Sequence, residues 1–187
     1  MVEAALGADL VAYAEAAELA EKGFLTSSCC PAFVNYIHNE FPTLVENISH
    51  NPSPMVATAK AIKENCEDAK TIFIGPCTAK KNEYLRPEVS EYVDCVLTFE
   101  ELQALFDSRD IAPETLEEEE LHNASYYGRI FAHCGGLSEA AAEAIKEQGL
   151  DFEAKPASCS GLEECRIALF RATKGKAPGN FIEGMAC

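Results

Sequence analysis

Basic residues are scarce: 15 Lys and Arg stand against 31 Asp and Glu, a formal charge of -16. So acidic a chain repels phosphate backbones and anionic head groups, which excludes nucleic acid and membrane surfaces as partners. Long apolar runs are missing as well. No stretch reaches the roughly 18 apolar residues that span a bilayer. The start, rich in Glu and Ala, lacks the basic residues that open a secretory signal, so the expected compartment is cytoplasmic. There is no internal repeat, no low-complexity tract and no Pro/Gly/Ser-rich linker to divide independent domains. With 187 residues, 48% of them hydrophobic, the chain is long enough for one well-buried domain or two small lobes sharing a core.

Cysteine, by contrast, is abundant. Nine are present: Cys29, Cys30, Cys66, Cys77, Cys95, Cys134, Cys159, Cys165 and Cys187. An odd number in a chain without an export signal argues against a disulfide framework. Each is then either a metal ligand or a buried apolar thiol.

Periodicity places these cysteines on elements. Leu6, Leu10, Ala14, Ala17 and Leu19 among acids predict a helix over Ala4 to Glu21, ended by Lys22-Gly23. Phe33, Val34, Ile37 and Phe41 predict a second helix, opened by Pro31, with Cys29 and Cys30 at its N-terminus. There, free backbone N–H groups and the helix dipole favour thiolate and an anionic cluster. A helix follows over Met55 to Lys63, then a short, fully buried strand over Thr71 to Gly75 that delivers Pro76-Cys77. Strands are expected over Tyr92 to Thr98, Tyr127 to Ala132, Phe152 to Ala157 and Asn180 to Ala186, and helices over Glu100 to Phe106, Ser138 to Gln148 and Gly161 to Ala172. The acidic run Glu117 to Glu120 reads as a solvated face. Strand alternating with helix gives an α/β fold with mainly parallel sheets flanked by helices, as two lobes around a central site.

Sites in such folds form at the carboxyl ends of strands and the helix starts that follow. Three cysteine segments are expected there: Ser28-Cys29-Cys30-Pro31, Gly75-Pro76-Cys77-Thr78-Ala79-Lys80-Lys81, and Gly184-Met185-Ala186-Cys187. Iron-sulfur clusters accept thiolates scattered in sequence when the fold gathers them.

The local sequences resemble, in order, three signature segments of iron-only hydrogenases: Thr-Ser-Cys-Cys-Pro-Gly-Trp, Met-Pro-Cys-Thr-x-Lys-Lys-x-Glu, and Met-Ala-Cys. The counterparts are Ser27 to Phe33, Gly75 to Glu83, and Met185-Ala186-Cys187. Arg86-Pro87, Asp94 to Leu97 and Gly135-Gly136 also fit, so the resemblance covers nearly all of residues 1–187.

That resemblance implies a 4Fe-4S cluster with Cys30, Cys77 and Cys187 as three of its ligands, soft thiolates suited to iron. Beside it would stand a two-iron centre carrying CO, cyanide and a bridging dithiolate. Cys29 matches the thiol that passes protons to that centre, and Glu15, Ser49 and Glu18 match its relay. Taken alone, Glu15 and Glu18, three apart on a helix, read as surface acids. Lys80 matches the lysine that hydrogen-bonds a cyanide ligand, and Pro76, Ser53, Phe131 and Met185 match the wall of the two-iron pocket. The implied activity is reversible reduction of protons to dihydrogen, with ferredoxin or fused ferredoxin-like domains as electron donor.

The chain departs from the family pattern in places. Family members continue past Met-Ala-Cys to a fourth cysteine and begin with ferredoxin-like domains, so the expectation is a partial catalytic domain whose activity belongs to a longer protein. Gly75 stands where the best-known members have methionine, and Met55 and His133 also differ, which resembles the sensory or slow branches with a downstream signalling domain. A dihydrogen-sensing module with little turnover and a cluster carrier without the two-iron centre are therefore alternatives, the relay residues and Lys80 speaking against the carrier.

Overall fold

A computed structural model describes residues 1–187. α1 (Ala5–Lys22) stops at left-handed Gly23 and turns into β1 (Leu25–Thr26). α2 (Pro31–Glu40) starts directly after the double cysteine, with Pro31 in the first turn, where its missing N–H is no loss. The middle of the chain holds α3 (Pro54–Asn65), β2 (Ile72–Ile74), the single-turn helices α4 (Lys80–Glu83) and α5 (Pro87–Ser90), β3 (Cys95–Leu97) and α6 (Phe99–Asp107). The last part holds α7 (Tyr126–Ile130), α8 (Gly136–Glu147), β4 (Pro156–Ser160), α9 (Gly161–Thr173) and β5 (Phe181–Met185).

Every strand pair is parallel, as the alternation of strand and helix requires. β1, β5 and β4 form one sheet in that order, and β2 and β3 form a second. In register, Leu25 lies beside Phe181, Cys159 beside Gly184 and Phe73 beside Val96. The expected α/β class, with parallel sheets flanked by helices, is thus the one observed, and each lobe has its own sheet.

Side chains of β5 alternate between two cores, as the strand period demands. Phe181 packs with Ala12, Leu19, Leu137 and Ala141 on the α1/α8 side. Ile182 packs with Phe33, Ile37, Cys165 and Leu169 on the α2/α9 side. A Cβ at Gly184 would overlap the Phe33 ring, so only glycine lets α2 sit this close to the strand. The second lobe closes over Met55, Val56, Ala59, Val89, Val93 and Val96.

Three local expectations fail. The strand expected over Phe152 to Ala157 starts only at Pro156 and runs on to Ser160. Tyr127 to Ala132 is not a strand: α7 takes most of it, started by Ser125, whose Oγ accepts the Gly128 N–H at 3.1 Å. β2 is not fully buried: Ile72 and Ile74, two apart and so on one face of the strand, are 57% and 40% exposed. No helix is long and apolar enough to cross a membrane.

Candidate functional site

All three cysteine segments sit at carboxyl ends of parallel strands. β1 runs into Ser27 to Cys30 and the start of α2, β2 into Gly75-Pro76-Cys77, and β5 into Ala186-Cys187. β1 and β5 are neighbours in one sheet whereas β2 belongs to the other, so both lobes contribute. The lobes are tied together at this place. Lys80 Nζ donates to the Cys29 carbonyl at 3.2 Å and to Glu83 Oε2 at 2.7 Å, with both side chains almost out of solvent. Arg86 Nη2 donates to Asn35 Oδ1 at 2.9 Å, and Ser28 Oγ to the Asn51 carbonyl at 2.7 Å.

Cys29, Cys30 and Cys77 are partly buried and Cys187 is exposed. Burial pushes the Cys29 thiol well up, the Glu15 charge adding to the effect and Lys80 opposing it. No three Cys, His, Asp or Glu side chains lie close enough to hold a single metal ion. Thiols spread over three strand ends suit instead a polynuclear cluster, in which each iron takes its own thiolate.

Glu15 is wholly buried, and neither carboxyl oxygen has a hydrogen-bond partner. It is not a surface acid: it shares the inward stripe of α1 with Val11, Ala12 and Leu19. Burial raises it to about 8, against a weaker opposing effect of the Ser49 hydroxyl. Glu18, one turn on, stands at the edge of the core. It accepts from Ser49 Oγ at 2.9 Å, Asn51 Nδ2 at 2.9 Å, Lys22 Nζ at 2.8 Å and the His50 backbone N–H at 3.1 Å. Partial burial would raise Glu18, but Lys22 and these donors outweigh it and hold the carboxyl below its usual range.

Ser53 Oγ is also buried without a partner. Phe131 is buried against the α1/α8 core, Met185 is half-buried at the end of β5, and Pro76 is exposed. A hollow of about 340 Å³ is lined by Ser28, Ser49, His50, Ser53, Glu83 and Arg86 among others. A second hollow, about 400 Å³ and mostly apolar, lies under β2 and touches none of the cysteine segments.

Over residues 1–187 the chain matches the family described as iron only hydrogenase large subunit, C-terminal domain. The chain belongs to this family. It is 32% identical over 163 residues to iron hydrogenase 1 of Clostridium pasteurianum, covering 75% of this chain and 28% of the relative. It is 33% identical over 90 residues to the cytosolic Fe-S cluster assembly factor NAR1 of Kluyveromyces lactis, covering 48% of this chain and 19% of the relative. The fold matches that of apo [FeFe]-hydrogenase HydA1 of Chlamydomonas reinhardtii, variant C377H, with a TM-score of 0.75 at 20% identity, over 99% of this chain and 66% of that one. The chain therefore spans a minor part of these curated relatives.

The candidate site also contains residues that the sequence pattern does not mark. Glu183 is buried on β5, four residues ahead of Cys187. Its Oε1 accepts from the Gly135 N–H at 2.9 Å and its Oε2 from the Ser138 N–H at 2.9 Å and Ser138 Oγ at 2.5 Å, so it anchors the start of α8. A lone acid inside the apolar strand Phe-Ile-Glu-Gly-Met was the available signal. Glu83, the partner of Lys80, closes the second signature segment. Lys22, His50 and Asn51, which surround Glu18, carry no sequence signal of their own.

These residues fit the groups that the family implies. Soft thiols come from both lobes, a buried ammonium is directed at the Cys29 segment, and the polar atoms of Glu15 and Ser53 remain unsatisfied beside them.

Proposed function

We propose that this domain holds a 4Fe-4S cluster on Cys30, Cys77 and Cys187, with a two-iron centre beside it bounded by Cys29, Ser53, Pro76, Lys80, Phe131 and Met185. When bound, these groups supply reversible reduction of two protons by two electrons to dihydrogen. The observation that carries this reading is that three signature cysteine segments follow the carboxyl ends of strands from two sheets, with Lys80 of the second segment bonded to the Cys29 carbonyl of the first.

The chain's own residues position and move protons. Glu83 fixes the Lys80 ammonium, which is suited to an anionic ligand such as cyanide. Glu15, kept protonated at neutral pH by burial, can give its proton to Cys29 and be refilled from Ser49. The Ser49 hydroxyl rests on Glu18 and serves Glu15 by turning about its Cα–Cβ bond. Glu18, bonded to both Ser49 and Lys22, forms the outer end of the chain. The longer protein would receive electrons from ferredoxin or fused ferredoxin-like domains, and the expected compartment stays cytoplasmic.

The test is anaerobic reconstitution of the longer protein, with the fourth cysteine that the family pattern expects, using iron and sulfide and then a synthetic two-iron precursor. Cubane absorption and paramagnetic signals are expected, lost in Cys30→Ser and Cys77→Ser, with carbonyl and cyanide infrared bands after the second step. Iron uptake indifferent to these cysteines would refute the assignment. Cubane signals without the infrared bands would favour a second reading, a cluster carrier without the two-iron centre, for which the likeness to NAR1 speaks.

A further inference from the structure

We propose that His50 is the group through which protons pass between bulk water and the Glu18, Ser49 and Glu15 chain. This rests on the relay reading above. The imidazole stands at the surface, with the side chain 75% exposed, yet its Nδ1 reaches Glu18 Oε1 at 3.0 Å and Lys22 Nζ at 3.1 Å. The backbone N–H of His50 donates to both Glu18 oxygens, at 3.2 and 3.1 Å, so the residue is anchored whatever the state of its ring.

One nitrogen placed between an acceptor and a donor takes a partner that depends on its proton. With a lone pair on Nδ1, the ring accepts from the Lys22 ammonium; with a hydrogen there, it donates to Glu18. Imidazole is also the side chain that gains a proton at one nitrogen and loses it from the other near neutral pH. In the inward step, hydronium gives its proton to Nε2 and leaves as water. The Nδ1–H bond breaks, its proton forms an O–H bond on Glu18 Oε1, and the ring is left neutral with hydrogen on Nε2. No electron is transferred, and the outward step is the reverse.

Direct delivery to Glu18 is less favourable. Its side chain is only 12% exposed, against 75% for His50. The other charged groups lining the hollow beside His50 are Lys60, Glu83, Arg86 and Glu88; of all these groups, only Glu18 and Lys22 bond the ring.

The protonated Glu15 carboxyl gives a clock that needs no metal. Its infrared C=O band, assigned by its loss in Glu15→Gln, shifts when the 187-residue protein is mixed into D2O at low buffer concentration. His50→Gln should slow this exchange at least about tenfold, with added imidazole restoring the rate. Ser49→Ala should slow it too, beyond rescue by imidazole. An unchanged rate in Ser49→Ala would overturn the relay reading and this proposal with it. A slow Ser49→Ala alongside a normal His50→Gln, or a slow His50→Gln that imidazole does not restore, would overturn the role of His50 alone.

Discussion

At the scale of single residues, Glu15 carries the largest conflict between a side chain and its surroundings. Its carboxyl ionises near 4.5 in the unfolded chain and near 8 in the fold, because burial disfavours the charged form. Between those values the folded state binds more protons than the unfolded one, so stability falls as pH rises through the window, by a few kcal/mol in all. Below and above the window this contribution is flat. Glu15→Gln cannot ionise, so its stability relative to wild type should grow steadily from pH 4.5 to 8 in urea titrations. A constant difference would show that Glu15 is ionised in the fold. The three cysteine segments were legible in the sequence because the residues around each cysteine form recognisable motifs. The burial of Glu15 was not: a three-residue spacing says that Glu15 and Glu18 share one side of a helix, but not that Glu15 joins the stripe of Val11, Ala12 and Leu19.

Among the elements, α2 and β5 are held to one geometry by Gly184. The Phe33 ring lies where a side chain at 184 would be, and Phe33 is itself fully buried between α2, α9 and the sheet. Gly184→Ala should therefore displace α2 and cost about 1–3 kcal/mol, read as a lower denaturation midpoint. Phe33→Leu in the same chain should recover part of the loss, because it frees the ring volume. If the single variant matches wild type, the packing is looser than described. Most helices were legible from their apolar spacing, to within a few residues at their ends. α7 was not, since Tyr-Tyr-Gly-Arg-Ile-Phe has the aromatic and branched composition of a strand. Two contacts distant in sequence decide otherwise: Asp9 accepts the Ser125 N–H at 2.8 Å, and Gly128 lets the backbone lie against Ala5 and Asp9 of α1. The exposed face of β2 was equally hidden, because an apolar run looks the same whether one face of the strand is covered or both.

For the whole molecule, the question is what joins two lobes that have separate sheets and separate cores. The parallel class and the lobed arrangement could be read from alternating elements, but the joint combines the packing of α3 on α1, where Gly7 lies against Pro54 and Thr58, with hydrogen bonds between segments 51 residues apart, which no local pattern encodes. Lys80 is central to it, because one buried ammonium serves the Cys29 carbonyl of one lobe and Glu83 of the other. Lys80→Met keeps the length of the side chain but leaves the Glu83 carboxylate buried and alone, at a cost of about 3–5 kcal/mol. Lys80→Met with Glu83→Leu removes both charges and should recover most of that cost, since the desolvation of the pair offsets much of its attraction. Stability therefore does not explain why a buried ion pair stands here, whereas a fixed cation beside the Cys29 segment does. The double variant separates the two explanations: it should unfold at nearly the wild-type denaturant concentration, yet after reconstitution take up the two-iron precursor poorly, judged by the carbonyl and cyanide bands. If it instead loads as wild type does, the pair is merely a tie between lobes, and the assignment of Lys80 to the two-iron pocket falls.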